Sequence, residues 1–446
     1  MVHCPFTETA QNPDVGNRKG KCDSSQKWRM LIAFVALSIS LGGCVLGKFS
    51  RLESNMERFA GTSALTGTVL HRASDRARII VAVFQEHNGV PEFIYTTRLL
   101  NENFFLFLVE PGKAYYLVAF DDRDGNMAYT KGEAVGMCGS PFPKILKVDE
   151  ANKYARCRIT IVKRGSIPDA FATSLAQAQL VRKSQVPLVA GEVANIDDVR
   201  FSQAYGEMGL WAPFDFIRQV GAGIYFLEPY DTNKIPILFV NGAGGYPQEW
   251  KYFVNNIDRN KYQPWLYLYP SGARLETAGR TLDMFIKSLH KRHRFNTLYV
   301  TAHSMGGLVA RDFIIRNRHN GKSDYIKLFI SISTPWSGHE AAELGAKYSP
   351  ATIPSWIDLQ TDSDFQKQIF SKPLNSRVNY YLFFGHKGSP GMFTGNNDGT
   401  VSMASMLRTE AQKDSMGTYG FDEDHTSILQ SPAVLQTYTK LLNPTR

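Results

Sequence analysis

The chain has no zinc-type ligand spacing, no phosphate-binding glycine loop and no dinucleotide fingerprint, so no metal and no cofactor are expected from motifs of those kinds. No block of Lys or Arg and no basic helix concentrates the formal charge of +9, which leaves nucleic acid without support as a partner. Attraction to anionic lipid headgroups stays compatible with that charge. Cysteine is scarce, at five in 446 residues, so a densely cross-linked miniature scaffold is excluded. What is present describes an ordinary folded protein: 43% hydrophobic and 20% charged residues, in a chain long enough for two or three domains.

The N-terminal region bears on location. Residues 30–47 carry no charge and follow Lys27 and Arg29, a pattern of either a signal h-region or a membrane anchor. At its end Leu41-Gly42-Gly43-Cys44 resembles the bacterial lipobox, which implies cleavage after residue 43 and lipidation of Cys44. The polar leader before the basic pair is long for such a signal. The resulting expectation is a lipid-anchored protein of the bacterial cell envelope facing periplasm or exterior, with residues 1–43 as signal peptide and 44–63 as tether. Cys4 and Cys22 would leave with the signal. Cys138 and Cys157 would then be either one disulfide in an oxidising compartment or two unrelated buried thiols.

From residue 64 short apolar runs recur at 79–84, 93–95, 104–109, 115–120 and 158–162, punctuated by Asn88-Gly89, Pro111-Gly112 and Asp124-Gly125. The spacing predicts an all-β sandwich over 64–163, and the run at 104–116 loosely resembles immunoglobulin-like or transthyretin-like modules of bacterial surface proteins. Asp121-Asp122-Arg123-Asp124-Gly125-Asn126 offers carboxylates for calcium. Glu133 stands twelfth from Asp122 but no flanking helix pattern accompanies it, so a solvated hairpin turn is the preferred reading. Residues 164–230 read as a connector packed on the following domain, with one amphipathic helix over 169–184.

Residues 231–446 alternate strands and helices, the pattern of a parallel sheet covered on both faces. Within them, residues 301–311 (TAHSMGGLVAR) place Ser304 between an apolar run that reads as a strand and one that reads as a helix. Small residues flank it at Ala302 and Gly306. A serine on such a strand-to-helix turn matches a nucleophile elbow, where the hydroxyl is lifted clear of the sheet. Here the chain resembles the α/β-hydrolase family, in particular its lipases and esterases, including the GPI inositol-deacylase-like and bacterial lipase branches.

That resemblance implies a catalytic triad in the order nucleophile, acid, histidine. Asp398, in Asn396-Asn397-Asp398-Gly399-Thr400-Val401, matches the family's Asp-Gly-x-Val element, and His425 falls where its histidine loop does. His303, His339 and His386 fit that order less well. The oxyanion donors implied are the amides of Met305 and, in the turn Asn241-Gly242-Ala243-Gly244-Gly245, of Ala243. The family usually has His-Gly where this chain has Asn241-Gly242, and glycine where it has Ala302. Thr334-Pro335-Trp336-Ser337-Gly338 resembles a further family element and is expected to line the pocket. The apolar residues between Trp336 and Arg377 are expected as either a lid or ordinary core helices. The function implied is hydrolysis of lipid-like carboxylic esters, with acyl transfer or amidase chemistry on the same triad as the alternative. A surface-binding lipoprotein with an inert hydrolase domain is the rival from another class.

Overall fold

The computed structural model describes residues 42–71, 78–99, 103–149, 152–177, 188–319, 324–374, 377–388 and 395–443. The chain forms two compact units, residues 1–48 and 49–446. The first is described only where it opens the helix α1 (Gly42–Ala60). The expected signal segment up to residue 41 and the Cys44 side chain lie outside the described residues. Among the described residues no helix is long and apolar enough to cross a membrane.

Within the second unit, α1 is more than the expected tether. Leu52 and Asn55 are fully buried. Phe49 meets the Trp211 ring edge-on at 5.2 Å, and Arg58 donates to Asp215 at 2.8 Å. Phe49, Leu52, Asn55 and Phe59 share one face of the helix at helical spacing, and that face docks it.

Eight strands follow: β1 (Ser63–Leu70), β2 (Ile79–His87), β3 (Val90–Arg98), β4 (Phe104–Val109), β5 (Lys113–Asp121), β6 (Val135–Met137), β7 (Leu146–Val148) and β8 (Tyr154–Thr160). They form a three-stranded sheet, β4-β1-β8, and a five-stranded one, β3-β2-β5-β6 with β7 on β5. Leu65, Val81, Phe107, Leu117 and Ile159 from both sheets share one core. The neighbours Ile80, Ala82 and Phe84 face the other way, as the two-residue period of a strand requires. Phe171 and Leu175 of helix α2 (Asp169–Gln177) cover that second face. The run 79–84 is therefore continuously apolar because its sheet is buried on both sides. It also corrects the connector reading: this helix packs on the five-stranded sheet. Cys138 and Cys157 are joined, Cα atoms 5.9 Å apart, and the bond links β8 to the segment after β6. Closing a loop of this length contributes about 3 kcal/mol.

The α/β part is built on an eight-stranded sheet of order β16-β15-β14-β13-β11-β12-β10-β9. Its strands are β9 (Val189–Val193), β10 (Gly223–Phe226), β11 (Ile235–Val240), β12 (Tyr262–Leu268), β13 (Leu298–His303), β14 (Ile326–Ile332), β15 (Asn379–Gly385) and β16 (Gly417–Phe421). Only β10 with β12 is antiparallel. The expected boundary at residue 231 is thus too late. Residues 188–230 supply two strands of this sheet, and a strand pairs with the sheet instead of lying on it. Leu238, Val240, Trp265 and Val300 face one core with helices α3 (Leu275–His293) and α4 (Met305–His319). Ile237, Phe239, Leu266 and Ile330 face the other with α5 (Pro432–Leu442). Phe104 of β4 reaches the first of these cores, its ring 5.6 Å from Phe285, so the two sheet systems share a contact.

Candidate active site

Strand β13 ends at His303 and α4 begins at Met305, leaving Ser304 alone on the turn. Its φ is +53°, a left-handed conformation that costs a non-glycine residue of order 1–3 kcal/mol. The Ser304 amide donates to the Ile332 carbonyl at 2.8 Å, which ties the strained turn to β14. Room for it comes from glycine. A side chain at Gly306 would stand 2.5 Å from the Asn241 carbonyl oxygen, and one at Gly242 would stand 2.7 Å from Ser304 Cβ. Ala302, where a glycine was expected, is fully buried in the core beside β11 and β14. Its methyl fits there.

The structure brings Ser304, His425 and Asp398 together across the carboxyl ends of three strands. His425 Nε2 lies 2.9 Å from Ser304 Oγ, and His425 Nδ1 lies 2.7 Å from Asp398 Oδ2. Asp398 is fully buried. Its other oxygen accepts the amides of Val401 at 2.7 Å and Thr400 at 3.0 Å. Burial alone would raise this carboxyl, but the hydrogen bonds from His425, Val401 and Thr400 outweigh it and hold the group below the usual carboxylate range. An ionised Asp398 accepting from Nδ1–H leaves Nε2 as the basic nitrogen facing the serine. Asp424, the nearer aspartate in sequence, instead accepts from the amides of Thr426 and Ser427 at 2.8 and 2.7 Å and shapes the histidine loop.

His303 is a residue whose part sequence reasoning missed. Its Nε2 lies 2.8 Å from the His425 carbonyl oxygen. Burial first, and the neighbouring His425, push its pKa down to about 3. A neutral ring facing a carbonyl donates from Nε2, so His303 holds the backbone of the residue whose side chain meets Ser304. The available signal was its place in the elbow, next to Ser304.

The Gly-rich turn lies against the serine. Asn241 Nδ2 donates to the Gly245 carbonyl at 2.7 Å, Tyr269 OH to the Asn241 carbonyl at 2.7 Å, and the Gly244 amide to Ser271 Oγ at 2.9 Å. Among the described residues the amides of Ala243 and Met305 have no acceptor, and Met305 begins α4, where free N–H groups gather. Beneath the turn, burial pushes the Glu249 carboxyl up to about 7.

Within the 334–338 segment, Trp336 departs from expectation. Trp336 is fully buried and its ring packs edge-on against Phe329 and Tyr380, so it belongs to the core. An indole flanked by two aromatic rings of the sheet is better placed there than in a pocket. The segment beyond it forms helices Glu340–Tyr348, Pro354–Leu359 and Asp364–Phe370. Phe365 and Ile369 of the third are core residues, whereas Leu344 and Tyr348 of the first are exposed.

A serine hydroxyl on a basic imidazole nitrogen, with a carboxylate behind the ring and unsatisfied amides beside it, is an arrangement suited to acyl transfer. A family model described as lecithin:cholesterol acyltransferase matches residues 274–345, the stretch that contains β13, Ser304 and α4. Among solved structures, the chain is similar to a gene product of Listeria innocua (13% identity, TM-score 0.37, covering 48% of this chain and 95% of that one). It is also similar to the Bacillus licheniformis lipase BlEst2 in mature form (20% identity, TM-score 0.39, 49% and 97%) and to Aspergillus fumigatus lipase B (15% identity, TM-score 0.40, 49% and 55%). No curated protein matches the sequence.

Proposed function

We propose that the chain is a serine carboxylic-ester hydrolase acting on lipid-like esters. The observation that carries this reading is the hydrogen-bonded series from Ser304 Oγ through His425 to Asp398, built on a turn of positive φ. Ser304 Oγ attacks the acyl carbon while its proton passes to His425 Nε2, and the Ala243 and Met305 amides receive the charge that develops on the carbonyl oxygen. The imidazolium, stabilised by Asp398, gives its proton to the departing alcohol. Water, deprotonated by the same nitrogen, then attacks the acyl-enzyme and frees the acid and Ser304. A fluorophosphonate probe should label the chain and leave Ser304→Ala unlabelled; equal labelling of both would refute the reading.

Acyl transfer to an alcohol is the second reading, favoured by the family match over residues 274–345. It differs only in what attacks the acyl-enzyme. Product analysis with an added alcohol separates the two: new ester signifies transfer, free acid alone signifies hydrolysis. The residues before the α/β part are read as a lipid anchor on Cys44, holding the enzyme at the bacterial envelope, and an all-β immunoglobulin-like or transthyretin-like module over 64–163. Incorporation of an alkyne fatty acid, lost in Cys44→Ser, tests the anchor.

A further inference from the structure

The segment between β5 and β6 holds three carboxylates that ester hydrolysis does not use. One oxygen each from Asp122, Asp124 and Glu133 lies within 4.8 Å of the other two. Asp122 is 2% exposed and Glu133 7%, while Asp124 faces solvent. Gathering buried carboxylates in this way is unfavourable unless a cation compensates them. The nearby side-chain cations are engaged elsewhere. Arg78 and Arg123 both pair with Asp121, at 2.6 and 3.4 Å, and the Arg98 guanidinium is directed at Met127 Sδ. Among the described residues no ion pair reaches the three carboxylates.

Asp122 is the telling group. One of its oxygens accepts the Met127 amide at 3.3 Å; the other, Oδ1, is buried without a hydrogen-bond partner.

We propose that Asp122, Asp124 and Glu133 form a calcium site on the all-β part of the chain. A twelve-residue calcium loop supplies ligands from positions 1, 3, 5, 7, 9 and 12, the seventh through a backbone carbonyl, with a sharp turn at the sixth. With Asp122 as the first, those positions are Asp122, Asp124, Asn126, the Ala128 carbonyl, Thr130 and Glu133. The sixth residue, Met127, has φ +61°. The loop runs between strands instead of helices, which is why sequence reading favoured a solvated turn. Oxygen donors throughout select a hard cation over zinc, and an irregular loop suits calcium better than magnesium, which demands a near-ideal octahedron. A bound ion would compensate the buried charge and brace β5 against β6, next to the Cys138–Cys157 bond.

Calcium chloride titrated into the chelator-stripped full chain tests this by calorimetry and by thermal unfolding. One saturable site per chain is expected, with a midpoint on the order of 10⁻⁴–10⁻³ M as in extracellular modules, accompanied by a rise in unfolding temperature. Asp124→Asn, exposed and remote from Ser304, should weaken binding at least about tenfold while ester hydrolysis stays unchanged, and Glu133→Gln should do the same. Terbium luminescence excited through Tyr129, inside the loop, reports occupancy of the unmodified chain and should fall as calcium displaces it. No saturable binding up to about 10 mM calcium, unaltered affinity in both variants, or equal affinity for magnesium would each overturn the proposal.

Discussion

Two histidines stand side by side, ring centres 4.8 Å apart, and their surroundings give them different roles. His425 has a carboxylate on one nitrogen and the serine on the other. His303 has a backbone carbonyl and is deeply buried, so it stays neutral. Its stability effect has a definite sign. The unfolded chain protonates this residue below about 6.5, whereas the folded one resists until about 3. The contribution is therefore complete above 6.5 and is lost as pH falls toward 3, by up to a few kcal/mol. Unfolding midpoints measured across that window should fall less steeply for His303→Gln than for the parent chain. The same variant should lower kcat more than it raises KM, because His303 acts by positioning His425.

At the scale of elements, the site is a meeting of four strand ends. The β11 turn lies against Ser304, β13 delivers the serine, the segment after β15 brings Asp398, and the segment after β16 brings His425. The most exacting contact is at Gly242. An alanine there would place Cβ 2.7 Å from Ser304 Cβ, so the turn or Ser304 must move. Gly242→Ala should lose on the order of 10²-fold in kcat, the scale of one oxyanion donor, with little change in unfolding midpoint. Much of this was legible in sequence because it is local: a serine between a strand and a helix, and an Asp-Gly-x-Val element in the right order. What escaped depended on distant partners. Strand β10 has four residues and declares itself only by pairing with β9 and β12. The His303 partner is a backbone carbonyl, which no side-chain pattern encodes, and Trp336 joined the core through rings that only the fold brings near.

For the whole molecule, α1 matters more than its sequence suggests. Asn55 and Asp215 bond reciprocally: Asn55 Nδ2 donates to the carboxylate at 3.1 Å, and the Asp215 amide donates to Asn55 Oδ1 at 3.0 Å. Asp215→Ala should cost about 2 kcal/mol in denaturant unfolding, since a buried amide loses a charged partner, while the proposed ester hydrolysis by the folded chain is unchanged. The pairing spans 160 residues, which explains why residues 44–63 read as a tether.

The bond from the Ser304 amide to the Ile332 carbonyl also has a meaning in time. It places Ser304 in the hydrogen-bonding ladder of the sheet, where opening requires unfolding of the core and not the fluctuation of a loop. In deuterium exchange, Ser304 should be among the last amides to exchange, on the timescale of β13 and β14, while Ala243 exchanges early. In the proposed reaction an ester meets a fixed serine under a more yielding turn.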